Sequence, residues 1–176
     1  DPELADKLSL LQSLPELRDA AEALGGGKAE AKAREEARAQ LVRGALTLRG
    51  AEGADEARLR ALTGMARAAV EAALQLLSTR GEALCWDKEG RAWIAKLPFE
   101  KLLAACLERG AELHRREPLK PGFTRGALCT GWSRNLPPKL VQKVLDQAIK
   151  QGQLVTEGEG LRLQSHTVSL AADQAG

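Results

Sequence analysis

The strongest constraint on this chain is that its pattern repeats at an offset of 71 residues. Val70, Leu74 and Gly81 recur as Val141, Leu145 and Gly152. With one residue dropped in the turn, Gly90 and Trp93 recur as Gly160 and Leu163. A repeat of this length means two copies of one small fold, each with its own apolar interior.

Each copy reads as helix, short helix, longer helix, hairpin. In the first, Ala37, Leu41, Val42, Ala45 and Leu46 lead to Gly50. The segment Gly53 to Gly64 then predicts a short helix, with Asp55 as cap and Gly64 as terminator. Val70, Leu74 and Leu77 predict an amphipathic helix ending at Gly81. Glu82–Trp86 and Arg91–Lys96 flank Asp87-Lys-Glu-Gly90 as a hairpin.

In the second copy Pro98 opens a helix. Phe99, Leu102, Leu103, Cys106, Leu107, Gly110 and Leu113 form its stripe, with Leu113 closing it. Residues 113–128 turn the chain through Pro118, Pro121 and Gly122, and Thr124 starts a short helix. Pro137-Pro138 starts a longer one, with Leu140, Val141, Val144, Leu145, Ala148 and Ile149 on one face. Gln153–Thr156 and Leu161–Leu163 form the second hairpin.

This order describes a mainly α fold with small β-wings: tandem winged-helix domains, each a helix-turn-helix with a β-hairpin. The expected division is a helical lead-in and linker over 1–33, a first winged-helix domain over 34–97 and a second over 98–176. Within the lead-in, residues 4–24 predict two short helices, with Ser13 as cap and Pro15 in the first turn; Gly25–Gly27 ends them. The tail beyond Ala171 is expected to fray.

Composition narrows the function. The 176 residues carry a formal charge of only +2. Eight Lys and Arg lie between Arg109 and Lys143 against Glu112 and Glu117, so the rest of the chain is net acidic. Five Trp and Phe residues and no Tyr argue against a stacking platform for single-stranded bases. Three widely spaced cysteines, without a CxxC pair, read as reduced thiols in a cytoplasmic protein. No apolar run reaches the roughly 18 residues of a membrane span. The opening Asp-Pro-Glu reads as a piece of a longer polypeptide, and a monomer is expected.

No catalytic constellation emerges. Gly25-Gly-Gly-Lys28 lacks the spacing, the preceding strand and the following hydroxyl of a phosphate-binding loop. His114, His166 and the cysteines fit no metal-ligand spacing and read as core or surface residues. No Ser, Cys or His sits in a nucleophile context. The expectation is a non-enzymatic binding module with no cofactor and no metal.

The candidate RNA-phosphate contacts are Arg115, Arg116, Lys120, Arg125, Arg134, Lys139 and Lys143. The last three lie at the start and along the outer side of the second unit's recognition helix, where such folds meet nucleic acid. Cations there hold phosphates without reading sequence. The alternative for each is a solvated face. The first unit's equivalent helix offers only Arg67 before Glu71.

The stretch His114-Arg-Arg-Glu-Pro118-Leu119-Lys-Pro-Gly122-Phe-Thr-Arg125-Gly-Ala-Leu128 resembles the C-terminal winged-helix domains of SelB. That family is the bacterial selenocysteine-specific translation elongation factors. The pattern is His, three residues, Pro-Leu, two residues, Gly, then a short helix ending in Leu. Gly152 to Leu170 is similar to that unit's wing and exit strand, and Leu48 to Gly64 to the preceding winged-helix domain. Asp1-Pro2 resembles the exit from the β-barrel before them.

The resemblance implies a full-length factor that binds GTP and Mg2+, carries selenocysteyl-tRNA to the ribosome, and is tethered to an mRNA hairpin beside a UGA codon. This stretch would be its first two winged-helix domains, a spacer that touches RNA through basic patches. The family's main mRNA contacts lie further on. The competing readings are a tandem winged-helix DNA-binding regulator and a protein-interaction scaffold.

Overall fold

The computed structural model describes residues 27–166. The helices expected over 4–24, their Ser13 cap, the fraying tail and the exit strand beyond His166 lie outside the described residues. The first unit ends at Pro98 and the second begins at Phe99.

The first unit opens with α1 (Gly27–Arg49), and a 3-10 turn (Gly50–Glu52) leads to β1 (Ala54–Asp55). Then come α2 (Glu56–Thr63), α3 (Arg67–Thr79), β2 (Ala83–Asp87) and β3 (Ala92–Ala95). The strands form one antiparallel sheet in the order β1-β3-β2. Helix α1 is built from strong helix formers and runs unbroken across the 33/34 division expected from sequence. Its buried residues begin only at Ala39, followed by Leu41, Val42, Ala45 and Leu46. These pack with Leu59, Val70, Leu74 and Leu77 into one core.

The caps explain where α2 starts and stops. The Asp55 carboxylate accepts from Arg58 N at 2.7 Å, and Gly64 at φ 69° ends the helix. Strand β1 was not anticipated. It is two residues long and exists because Ala54 and Asp55 pair with Trp93 and Ala92. Gly53 makes that approach possible: at φ +67°, a Cβ there would stand 2.2 Å from the Trp93 carbonyl oxygen.

The second unit follows the same plan. Helix α4 (Lys96–Arg116) crosses the junction between the units; α5 (Arg125–Leu128), α6 (Pro138–Lys150), β4 (Leu154–Glu157) and β5 (Gly160–Leu163) follow. Thr124 caps α5 by accepting from Ala127 N at 3.1 Å. Phe123 pairs with Leu161 where β1 pairs with Trp93 in the first unit. Gly122 stands in for Gly53, since a Cβ would meet the Leu161 carbonyl oxygen at 2.6 Å. Leu128, Leu140, Val144, Leu145, Ala148 and Leu154 are buried with the stripe of α4, while Ile149 is 38 % exposed at its edge.

Two expectations need correction. The stripe of α4 closes on His114, which is 8 % exposed, while Leu113 is only half-buried. A buried imidazole is tolerated because its Nε2 accepts from Leu163 N at 3.1 Å. The second correction concerns the repeat within the wings. Ala83 pairs with Ala95 and Leu154 with Leu163, so the second hairpin is shorter by three residues, not one. Trp93 therefore corresponds to Leu161 rather than Leu163. A bulge between Cys85 and Asp87 supplies one of the extra residues and the turn the other two.

Candidate nucleic-acid interface

In a helix-turn-helix the surface that meets nucleic acid is the start of the third helix and the turn before it. In the second unit these are α6 and residues 129–137. Pro138 occupies the first helical turn, so no N–H is wasted there. The apolar face of α6 is buried, which leaves Lys139, Gln142, Lys143 and Asp146 on the other side. Gln142 donates to Asp146 at 2.7 Å, so that pair is self-satisfied.

The seven candidate cations divide by what holds them. Arg115 pairs with Glu108 at 3.1 Å, Arg116 with Glu112 at 2.8 Å and Lys120 with Glu117 at 2.6 Å. These pairs are exposed and individually weak, yet they offset much of the positive charge of that stretch. Arg125 stands beside the Cys129 thiol; burial pushes that thiol up and the guanidinium opposes the shift. Arg134 is exposed and Lys143 half-buried, and neither makes an ion pair among the described residues. Lys139, exposed, follows Pro138 on the same helix.

The corresponding surface of the first unit is closed by its own charges. Arg67 pairs with Glu71 at 2.9 Å. Arg91, on the wing at φ +51°, reaches Glu71 at 3.1 Å and Glu56 at 3.4 Å. A cleft of about 210 Å³ lies here, lined by Asp55, Glu56, Arg60, Arg67 and Arg91. Counting Glu71 beside Arg67 and Arg91, three arginines here face three acids, so the cleft has no net charge to attract phosphate. In the second unit, Arg125 and Gln142 occupy the places of Glu56 and Glu71, so that network cannot form.

The segment that carries the resemblance is architectural. His114 anchors the wing through Leu163. Its ring stacks on His166 with centroids 3.6 Å apart and 9° between planes, and Phe123 lies 4.9 Å away. His166 Nε2 lies 3.2 Å from the Lys120 carbonyl oxygen. Burial, with His166 and Arg162 nearby, lowers the His114 pKa below its ordinary value. The neutral ring is the form that can accept from Leu163 N.

Two residues escaped the sequence reading. Arg109 bridges elements, donating to the Ala127 carbonyl at 3.2 Å and pairing with Glu112 at 2.9 Å. Trp132 donates through Nε1 to the Leu128 carbonyl at 2.7 Å. A lone aromatic in the turn between the two helices was the available signal.

No group of three or more His, Cys, Asp or Glu is placed to hold a metal among the described residues. Cys85, Cys106 and Cys129 form no disulfide among the described residues, and burial pushes the Cys106 thiol up to about 12, which makes it inert. A second groove, about 370 Å³, runs between α1 and α3 over Ala69, Ala72 and Leu76 and carries no such group. No described helix is long and apolar enough to cross a membrane.

Comparison with known proteins agrees with this architecture. Residues 111–163 match the family described as elongation factor SelB, winged helix. The chain is also similar to a selenocysteine-specific elongation factor of Desulfomicrobium baculatum, 36 % identical over 137 residues. That alignment covers 78 % of this chain and 22 % of the relative, so the chain spans about a fifth of its length. Residues 111–163 are thus a winged-helix domain of the elongation factor SelB family, and the chain belongs to that family by its winged-helix region.

Proposed function

We propose that this chain is a non-catalytic spacer within a selenocysteine-specific elongation factor. It links a GTPase and tRNA-binding body to distal domains that hold an mRNA hairpin, and it touches RNA through phosphates along α6 of the second unit. The observation that carries the RNA contact is the contrast between the two recognition faces. Arg67 and Arg91 are committed to Glu71 and Glu56 in the first unit. Arg134 and Lys143 have no acidic partner among the described residues in the second.

The partners of this reading are an mRNA hairpin, selenocysteyl-tRNA and the ribosome, met in the cytoplasm by a monomeric factor. GTP and Mg2+ belong to another part of such a factor. The residues here do not fit them, because Gly25-Gly-Gly-Lys28 lacks the phosphate-loop spacing. The first unit's role is then positional, since Arg67 and Arg91 on its face are held by Glu71 and Glu56.

Competition between an RNA hairpin and a duplex DNA of matched length tests the reading. The expected result is salt-sensitive hairpin binding without strong sequence preference. Tight, sequence-dependent binding to the DNA duplex would make the chain a DNA-binding regulator instead. Absence of RNA binding at low salt would leave only the scaffold.

A further inference from the structure

We infer that Trp132 is a positioning residue for RNA binding by the second unit: its indole holds rigid the turn that presents Arg134 to a phosphate. The inference rests on the reading of α6 as a phosphate-facing helix and adds a residue that sets its geometry.

The turn is the place where the two units differ most. In the first unit only Gly64, Met65 and Ala66 separate α2 from α3. In the second, nine residues separate α5 from α6, and α5 itself is a single turn. A connection of that length without a main-chain ladder costs conformational entropy to order. Here side chains order it. Thr130 Oγ1 donates to the Gly126 carbonyl at 2.9 Å and Trp132 Nε1 to the Leu128 carbonyl at 2.7 Å. Ser133 Oγ donates to the Cys129 carbonyl. Each bond runs four residues back, which satisfies the carbonyls left open where the short helix ends.

Arg134 sits at the outlet of this arrangement. Its N–H donates to the Gly131 carbonyl at 3.1 Å, and Asn135 follows at φ +66°. Asn tolerates that left-handed conformation. Leu136 N donates to the Ser133 carbonyl at 3.0 Å, and Pro137 then caps α6. No ion pair holds the Arg134 side chain among the described residues, so what the turn fixes is the backbone position from which that side chain reaches out. Trp132 is the largest side chain of the turn and is half-buried, which makes it the principal anchor. A turn ordered before binding loses less entropy when its cation meets a phosphate.

The test is RNA-hairpin binding by the whole chain across a salt series, with Trp132→Phe and Arg134→Ala alone and together. Trp132→Phe keeps a ring and deletes the indole N–H. The expected result is a three- to tenfold loss of affinity at low salt for each single variant. The slope of log affinity against log salt should flatten by up to about one unit for Arg134→Ala and partly for Trp132→Phe. The double variant should bind no worse than Arg134→Ala, because Trp132 acts through Arg134. A merely structural role would lower the melting temperature and leave the salt slope of the folded chain unchanged.

Trp132→Phe binding with the original affinity and slope, while Arg134→Ala loses both, overturns the inference and leaves the phosphate-facing helix standing. Arg134→Ala binding like the original overturns the inference together with Arg134's place in the interface. If Trp132→Phe fails to fold, Ser133→Ala, which removes a neighbouring bond of the same turn, is read in its place with the same two outcomes.

Discussion

His114 ties three segments of the second unit together: the end of α4, the connection through Lys120 and Phe123, and the wing through Leu163 and His166. His114→Ala leaves the Leu163 N–H without its partner, and denaturant unfolding should show a loss of about 1–3 kcal/mol. The fold favours the neutral ring, so its contribution is complete above the ordinary histidine value of about 6.5. That contribution is lost as pH falls through the lowered folded value, because the charged ring must face His166 and Arg162 and cannot accept from Leu163 N. Melting between pH 7.5 and 5 should show this loss, and His114→Ala should remove much of it. Glu36 works in the acid range: hydrogen bonds from Arg80 and Gln40 bring its pKa from 4.5 to about 2. Its contribution is present above pH 4.5 and lost as pH falls towards 2. The two side chains are about two-fifths exposed, so solvent screening keeps the pair's contribution small.

At this scale the sequence was legible where packing alone decides a residue's place. Leu41, Val42, Leu74, Leu77 and Leu145 are buried as their helical spacing predicts. His114 was not legible, because its burial depends on one amide 49 residues away. The candidate cations were legible as a charged region but not as individuals. Which of them pair with Glu108, Glu112 or Glu117 depends on side-chain reach across the helix and into the connection.

Among the elements, the short pairing segment before each short helix, a strand in the first unit and a single bridge in the second, was the hardest to foresee. Ala-Asp has no strand propensity, and β1 is imposed by its partner β3. The glycine before each pairing site was the readable trace. Gly53→Ala should cost about 2 kcal/mol or more, since the new Cβ meets the Trp93 carbonyl in a left-handed conformation. Gly122→Ala should cost a similar amount through the Leu161 carbonyl. Gly126→Ala, with open space around it in α5, should instead stabilise by about 0.5–1 kcal/mol. Urea unfolding of the three variants checks the contrast, and equal effects at all three positions would refute the close-approach explanation. The wing register escaped the sequence comparison for a related reason. The bulge at Cys85 to Asp87 and the turn length change together, and residue matching alone cannot separate them.

At the scale of the whole molecule, one plan is used twice with opposite treatment of charge. The first unit spends its recognition-face arginines on its own glutamates, and the second replaces those acids with Arg125 and Gln142. Repetition of the fold was legible because helix and hairpin periods survive sequence change. Charge closure was not, because Arg91 meets Glu56 and Glu71 only once the wing has folded against α2 and α3. The difference can be measured by the salt dependence of RNA-hairpin binding for two paired variants, Arg134→Ala with Lys143→Ala, and Arg67→Ala with Arg91→Ala. The second-unit pair should flatten the slope of log affinity against log salt by about 1–2 units, and the first-unit pair should leave it unchanged. An unchanged slope for the second-unit pair, or an equal flattening by both, would contradict the division of labour between the two units.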